Sequence, residues 1–175
     1  MTKPQVGIIM GSDSDLPVMA EATKILDELG IENEVLILST HRVPEQTARY
    51  ARQAKDRGLK VLIAGAGGAA ALPGSLASLT MLPVIGVPIK TKSMEGLDSL
   101  LSIAQMPPGV PVATVSVNGA KNAGILAAQI IGVFDSEVAK KIADYKKKLK
   151  NEVLAKNFQL QKLGWPKYLK QLMTK

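Results

Sequence analysis

Five short, almost wholly aliphatic runs constrain the fold more than any other feature of this chain. They are QVGIIM (5–10), EVLILS (34–39), KVLIAG (60–65), PVIGVP (83–88) and VPVATVSV (110–117). A strand with one wet face alternates apolar and polar residues. Runs that are apolar at nearly every position belong to strands covered on both faces, as in a parallel sheet clothed by helices. The intervening segments have helical character. PVMAEATKILDELG (17–30) is amphipathic, with Pro17 in its first turn, Asp15 as the expected N-cap and Gly30 as its stop. PEQTARYARQAKDRG (44–58) also opens on proline and closes on glycine. Residues 69–80, 97–104 and 122–132 predict three further helices, and a long lysine-rich helix starts at Ser136 and reaches the vicinity of Gly164. Strands alternating with helices give an α/β class: a doubly wound, three-layer parallel sheet of about five strands with a long C-terminal helix. Ligands of such sheets lie beyond the carboxyl ends of the strands, so residues that directly follow a strand are the first candidates for function.

The totals narrow the chemistry. A chain of 175 residues suits one core, expected over residues 1–135, with 136–175 as a helical extension. There is no cysteine, which removes disulfides, a thiolate nucleophile and a zinc-thiolate centre, and fits a reducing cytoplasm. The opening MTKPQVGIIMGSDSD has no secretory apolar core, because its apolar run breaks at Gly11, and no run is long enough to predict a membrane span. The net charge of +7 is concentrated in the tail: residues 140–175 hold 11 Lys against Asp144 and Glu152. That tail has no arginine and reads as a solvated lysine face rather than a nucleic-acid surface. Its Leu149, Val153, Leu154 and Leu160 are suited to covering a neighbouring subunit.

Three segments follow strands and carry the candidate site. After the first comes GSDSD (11–15) at a helix entrance, where free N–H groups and the helix dipole attract phosphate. Ser12 and Ser14 add hydroxyl donors, and Asp15 can either cap the helix or accept from ribose hydroxyls. After the second comes STHRVP (39–44), with the only histidine, His41, beside Arg42. Imidazole is suited to moving protons near neutrality, and guanidinium to gripping phosphate. After the third comes AGAGGAAALPG (64–74), which has no reactive side chain. Small residues let the backbone approach a planar ring closely. Gly65, Gly67 and Ala70 match a G-x-G-x-x-A dinucleotide pattern only weakly, since that pattern belongs on the first strand with an acidic residue about 20 positions later. One histidine and no cysteine make a zinc site implausible. After the fourth strand, a Gly-, Ser- and Pro-containing loop with Lys90 and Lys92 is expected to fold over the site or to contact another subunit. A phosphorylated, planar metabolite fits this set, and the residues alone leave the reaction open.

GIIMGSDSDLPVM, STHRVP, AGAGGAAALPG, GLDSLLSIAQMPPGVPVATV and KNAGILAAQI, in this order, resemble the N5-carboxyaminoimidazole ribonucleotide mutases of de novo purine synthesis. The likeness spans roughly residues 4–155. It implies a flavodoxin-like sheet, a cytoplasmic homo-octamer, and neither a metal nor an organic cofactor. It implies transfer of a carboxylate from an exocyclic amine to the adjacent ring carbon, with His41 as acid/base. By the same likeness Ser12, Ser14 and Arg42 hold phosphate and Asp15 holds ribose. Ser39 and the backbone at Gly65, Ala66, Gly68 and Ala69 line the base pocket. The sequence departs from the family at Ala71, where the family carries histidine, and more mildly at Thr40 and Val43. Three other functions remain open at this stage. One is a carboxylase or decarboxylase of a related azole ribonucleotide. The second is a non-catalytic nucleotide-binding oligomer, and the third a nucleic-acid binder using the lysine-rich tail.

Overall fold

The structure, a computed structural model, describes residues 3–174. Five parallel strands form one sheet: β1 (Val6–Met10), β2 (Asn33–Ile37), β3 (Val61–Gly67), β4 (Val84–Ile89) and β5 (Ala113–Thr114). Their order is β2-β1-β3-β4-β5, the flavodoxin-like arrangement. The chain leaves β1 toward β2, then returns past β1 to β3, so the order reverses between β1 and β3. Ile8 stands in register with Val35 on one side and Ile63 on the other. β1 and β4 are buried at every position.

Helices cover both faces. α1 (Leu16–Glu28) and α5 (Ala120–Gly132) pack together on one face. α1 turns Met19, Ala22, Ile25 and Leu26 inward at helical spacing. On the other face, α2 (Pro44–Gln53), α3 (Leu72–Ala77) and α4 (Leu97–Ala104) send Tyr50, Ala51, Leu72, Leu76 and Ile103 into a cluster with Ile9, Leu62, Ala64 and Val84 of the sheet. Tyr50 ties α2 to the edge strand. Its hydroxyl donates to Glu34 Oε1 at 2.8 Å, Arg57 reaches Glu34 Oε2 at 2.5 Å, and the guanidinium lies 5.3 Å from the Tyr50 ring centroid. Burial, and then the Glu34 carboxylate, hold the Tyr50 phenol far above its ordinary pKa. Gly7 makes room for this hydroxyl, since a Cβ there would overlap it.

Several boundaries differ from the sequence reading. β5 keeps two paired residues of the eight expected, because it is an edge strand interrupted by Pro111, which has no N–H to donate. Isolated bonds continue its course, from Val115 N to Gly86 O and from Asn118 N to Pro88 O. β3 runs on to Gly67, taking part of the small-residue stretch into the sheet. α2 stops at Gln53, before a turn closed by Gly58 at φ +97°. α3 covers only Leu72–Ala77 of the predicted 69–80. Asp15 occupies the N-cap position of α1, but its side chain makes no capping bond. Its φ and ψ are already helical, because a 3-10 turn, Asp13–Asp15, feeds directly into the helix. Ser12 caps that turn instead, its hydroxyl accepting from Ser14 N.

Contacts divide the described residues into two units, one ending at Ala139 and the other starting at Lys140. The lysine-rich helix α6 spans Ser136–Leu163, and α7 (Trp165–Met173) follows Gly164, which adopts φ +73°. No described helix is long and apolar enough to cross a membrane.

Candidate functional site

A cavity of about 400 Å³ opens where the sheet order reverses. That lies within the size range of small-molecule sites. Its walls come from the segments that follow the first three strands. Gly11, Ser12 and Asp15 follow β1; Ser39, Thr40, His41 and Arg42 follow β2; Ala66, Gly67 and residues 69–72 end β3 and open α3.

Each wall has a local cause. The turn at Asp13–Asp15 stacks hydroxyls beside carboxylates. Ser14 Oγ donates to Ser12 Oγ at 3.0 Å and lies 3.3 Å from Asp15 Oδ1. Partial burial pushes the Asp15 carboxyl above its ordinary value. Hydrogen bonds from Ser14 and Ser12 oppose that shift, and the Asp13 charge adds to it. The second wall is a tight turn held by Ser39. Its carbonyl accepts from Arg42 N at 3.2 Å and Val43 N at 2.9 Å, and its hydroxyl from Arg42 N at 3.3 Å. This turn leaves the His41 and Arg42 side chains exposed at the cavity rim. Pro44 then starts α2 and ends the turn.

The third wall is backbone. Gly68 and Ala70 both take positive φ, +66° and +40°. For Ala70 that conformation costs roughly 1–3 kcal/mol, a local strain that the surrounding structure must hold. Ala70 N donates to Gly67 O at 3.2 Å, closing the turn. Ala71 sits at the N-cap position of α3 with φ −72°, an ordinary conformation for any L residue, and lines the cavity.

Of the sequence candidates, Ser12, Asp15, Ser39, His41, Arg42, Ala66 and Ala69 line this cavity. Ser14, Gly65 and Gly68 stand outside the lining. Ser14 acts on Ser12 and Asp15 from behind. Gly65 faces α1, where a Cβ would overlap Met19 Sδ. The loop after β4 does not line the cavity either. Thr91 Oγ1 donates to the Asp98 carboxylate at 3.0 Å, Lys90 N to Asn118 Oδ1 at 2.9 Å, and Lys90 Nζ pairs with Glu95. Gly11, Thr40, Gly67, Ala70, Ala71 and Leu72 complete the lining, and the rule that strand-following residues form the site would have included them all.

A protein-family model described as AIR carboxylase matches residues 5–152. The chain belongs to the AIR carboxylase family. It is 60% identical over 168 residues to the N5-carboxyaminoimidazole ribonucleotide mutase of Thermotoga maritima, spanning 96% of this chain and 98% of that protein. It is 57% identical to the protein of the same name from Pyrococcus horikoshii, spanning 97% of this chain and 96% of that one. The crystal structure of Treponema denticola PurE superposes with a TM-score of 0.82 at 30% identity, covering 90% of this chain and 98% of the other. These likenesses to AIR carboxylase family members span the three segments that form the cavity.

Proposed function

We propose that the protein is a mutase that converts N5-carboxyaminoimidazole ribonucleotide into 4-carboxy-5-aminoimidazole ribonucleotide. The observation that carries this reading is the cavity itself. It sets one exposed imidazole and its neighbouring guanidinium at the rim of a pocket otherwise built from hydroxyls, one carboxyl and small-residue backbone. The identity to named mutases over nearly the whole chain supports it.

In this reading Ser12 and Arg42 hold the phosphate, Ser14 backs Ser12, and Asp15 accepts from the ribose. Ser39, Ala66 and Ala69 border the imidazole base, and Gly65 and Gly68 shape that wall from outside the lining. The bond between the exocyclic nitrogen and its carboxylate breaks, releasing carbon dioxide, and the nitrogen keeps the electron pair and takes a proton from His41. The adjacent ring carbon attacks carbon dioxide, and the proton it carried passes to His41. The ring regains its aromaticity and the histidine its starting state. Retaining carbon dioxide beside the ring makes the second bond formation effectively intramolecular, with the large entropic advantage that follows. Residues 136–175 would pack on a neighbouring subunit of a cytoplasmic oligomer, an octamer by family likeness.

The test is direct turnover of the carboxyamino ribonucleotide, with aminoimidazole ribonucleotide plus bicarbonate as a second arm that separates mutase from carboxylase. His41→Asn keeps a side chain of similar polarity at an exposed turn and should fold normally. Loss of general acid–base chemistry should lower turnover by about 10²–10⁴-fold or more. Near-normal turnover in that variant would end the assignment.

A further inference from the structure

Ser99 lies on α4, outside the cavity, and is completely buried. A buried hydroxyl needs partners. Ser99 Oγ donates to Ile89 O at 2.7 Å and accepts from Gly68 N at 3.0 Å. These two partners are not arbitrary. The β3–β4 ladder ends at the pair Gly67↔Ile89. Beyond it the chains separate, β3 into the positive-φ turn that lines the cavity and β4 into the loop tied to Asp98. The hydroxyl is inserted where the next rung of the ladder would stand, bridging the last carbonyl of β4 and the first amide past β3. One turn further along α4, Ser102 Oγ lies 3.4 Å from Gly68 O. Both polar groups of Gly68 therefore face serines of the same helix, at i and i+3.

We infer that Ser99 is a positioning residue for the reaction proposed above: it fixes the direction of the backbone at residues 67–70, the wall that faces the substrate ring. The cavity supplies no side chain that could hold this wall in place. Gly67 and Ala69 have no side chain with which to anchor themselves, Ala70 is held by its buried methyl group and by its own bond to Gly67 O, and Gly68 and Ala70 are in conformations that a free chain leaves readily. The anchor must come from outside the lining, and Ser99 gives the Gly68 N–H its partner. The phosphate and ribose walls are built from other segments and do not depend on it. Loss of the hydroxyl should therefore disturb the ring's reaction geometry more than nucleotide affinity.

The experiment compares Ser99→Ala, Ser99→Cys and the parent full-length protein. Cysteine keeps the shape but is a much weaker hydrogen-bonding group, so it serves should the alanine variant not fold. Turnover of the carboxyamino ribonucleotide, KM, and hydrogen exchange by mass spectrometry over residues 61–72 are measured together. The expected result is a cooperative folded protein with kcat lowered about ten- to hundredfold and KM changed by less than about threefold, in the range set by misplacement of reacting groups. Exchange should quicken at 67–71 while 61–66 stays protected. Ser99→Thr, which restores the oxygen, should recover part of kcat. Unchanged kcat in both variants overturns the inference. So does loss of protection across the whole of β3, which would show a purely structural role. A parent with no turnover ends the functional reading and this inference with it, whereas an active parent with equally active variants ends this inference alone.

Discussion

Replacing Gly86 by alanine tests whether the seat of α4 on the sheet is as tight as the structure shows. Gly86 lies in β4 beneath α4. A Cβ there would overlap Ile103 Cγ2 and stand 2.9 Å from Val112 Cγ1 and 3.5 Å from Pro73 Cβ. Ile103 is fully buried and, like Val112, β-branched, so neither methyl can swing away at low cost. Alanine in a strand gains roughly 0.5–1 kcal/mol over glycine in backbone terms. Overpacking a filled core costs about 1–3 kcal/mol. The second effect wins, leaving a net loss of about 1–2 kcal/mol, or roughly 2–8 °C in Tm for a chain of this size. Urea unfolding followed by circular dichroism would measure it. Ile103→Ala alone should cost about 2–5 kcal/mol. The double variant should fall short of the sum by about 1–2 kcal/mol, because the closest overlap, with Ile103, is gone and only the contact with Val112 remains. Ile103 is four residues after Ser99 on the same face of α4, so the displaced helix should also loosen residues 67–70 in hydrogen exchange. A Gly86→Ala protein as stable as the parent, or additive energies in the double variant, would refute the packing argument.

Two other perturbations bear on the cavity. The Asp15 carboxyl is raised by burial, so its contribution to stability is fully present below the ordinary carboxylate value of about 4 and is lost as pH rises through the folded value. Asp15→Asn removes the buried charge, and its stability relative to the parent should increase through that window and then level off; a difference that is flat or falls with rising pH in urea titrations contradicts this. Ala71→His places an imidazole on the cavity wall at an unstrained φ, and mutase turnover should be preserved or improved. A marked loss would indicate a pocket shaped for another ligand.

Most of the architecture was legible because its signals are local. The aliphatic runs of β1, β3 and β4 are strands covered on both faces, whereas Val35 and Ile37 of β2 are exposed. Pro17 and Pro44 open their helices, Gly30 follows the first, and the second stops at Gln53, before Gly58. Legibility was poorer where a residue's role depends on what lies across from it. Asp15 and Gly65 show this best. Asp15 has the composition of a cap, but a preceding 3-10 turn already gives it helical dihedrals, and Ser12 caps instead. Gly65 has the composition of a phosphate or base cradle, yet it is a glycine because Met19 packs against it. Ser99 left no distinctive trace: it is one of two serines in the helix LDSLLSIA, and only the fold shows that it is the fully buried one.

The sequence by itself determined the layered α/β class, the five strands, and the three strand-following segments that line the cavity, because period and punctuation act over a few residues and survive without tertiary context. It also placed His41 and Arg42 at a strand end. Only the tertiary structure decided that the segments after β1, β2 and β3 share one cavity, since that follows from the strand order β2-β1-β3. Only there does AGAGGAAALPG divide into its parts. Residues up to Gly67 belong to the sheet, 69–72 face the cavity, and Gly68 is held from behind by a helix some thirty residues further along the chain. A hydrogen bond between distant residues leaves no period in the sequence, and so this anchor could be seen only in the folded protein.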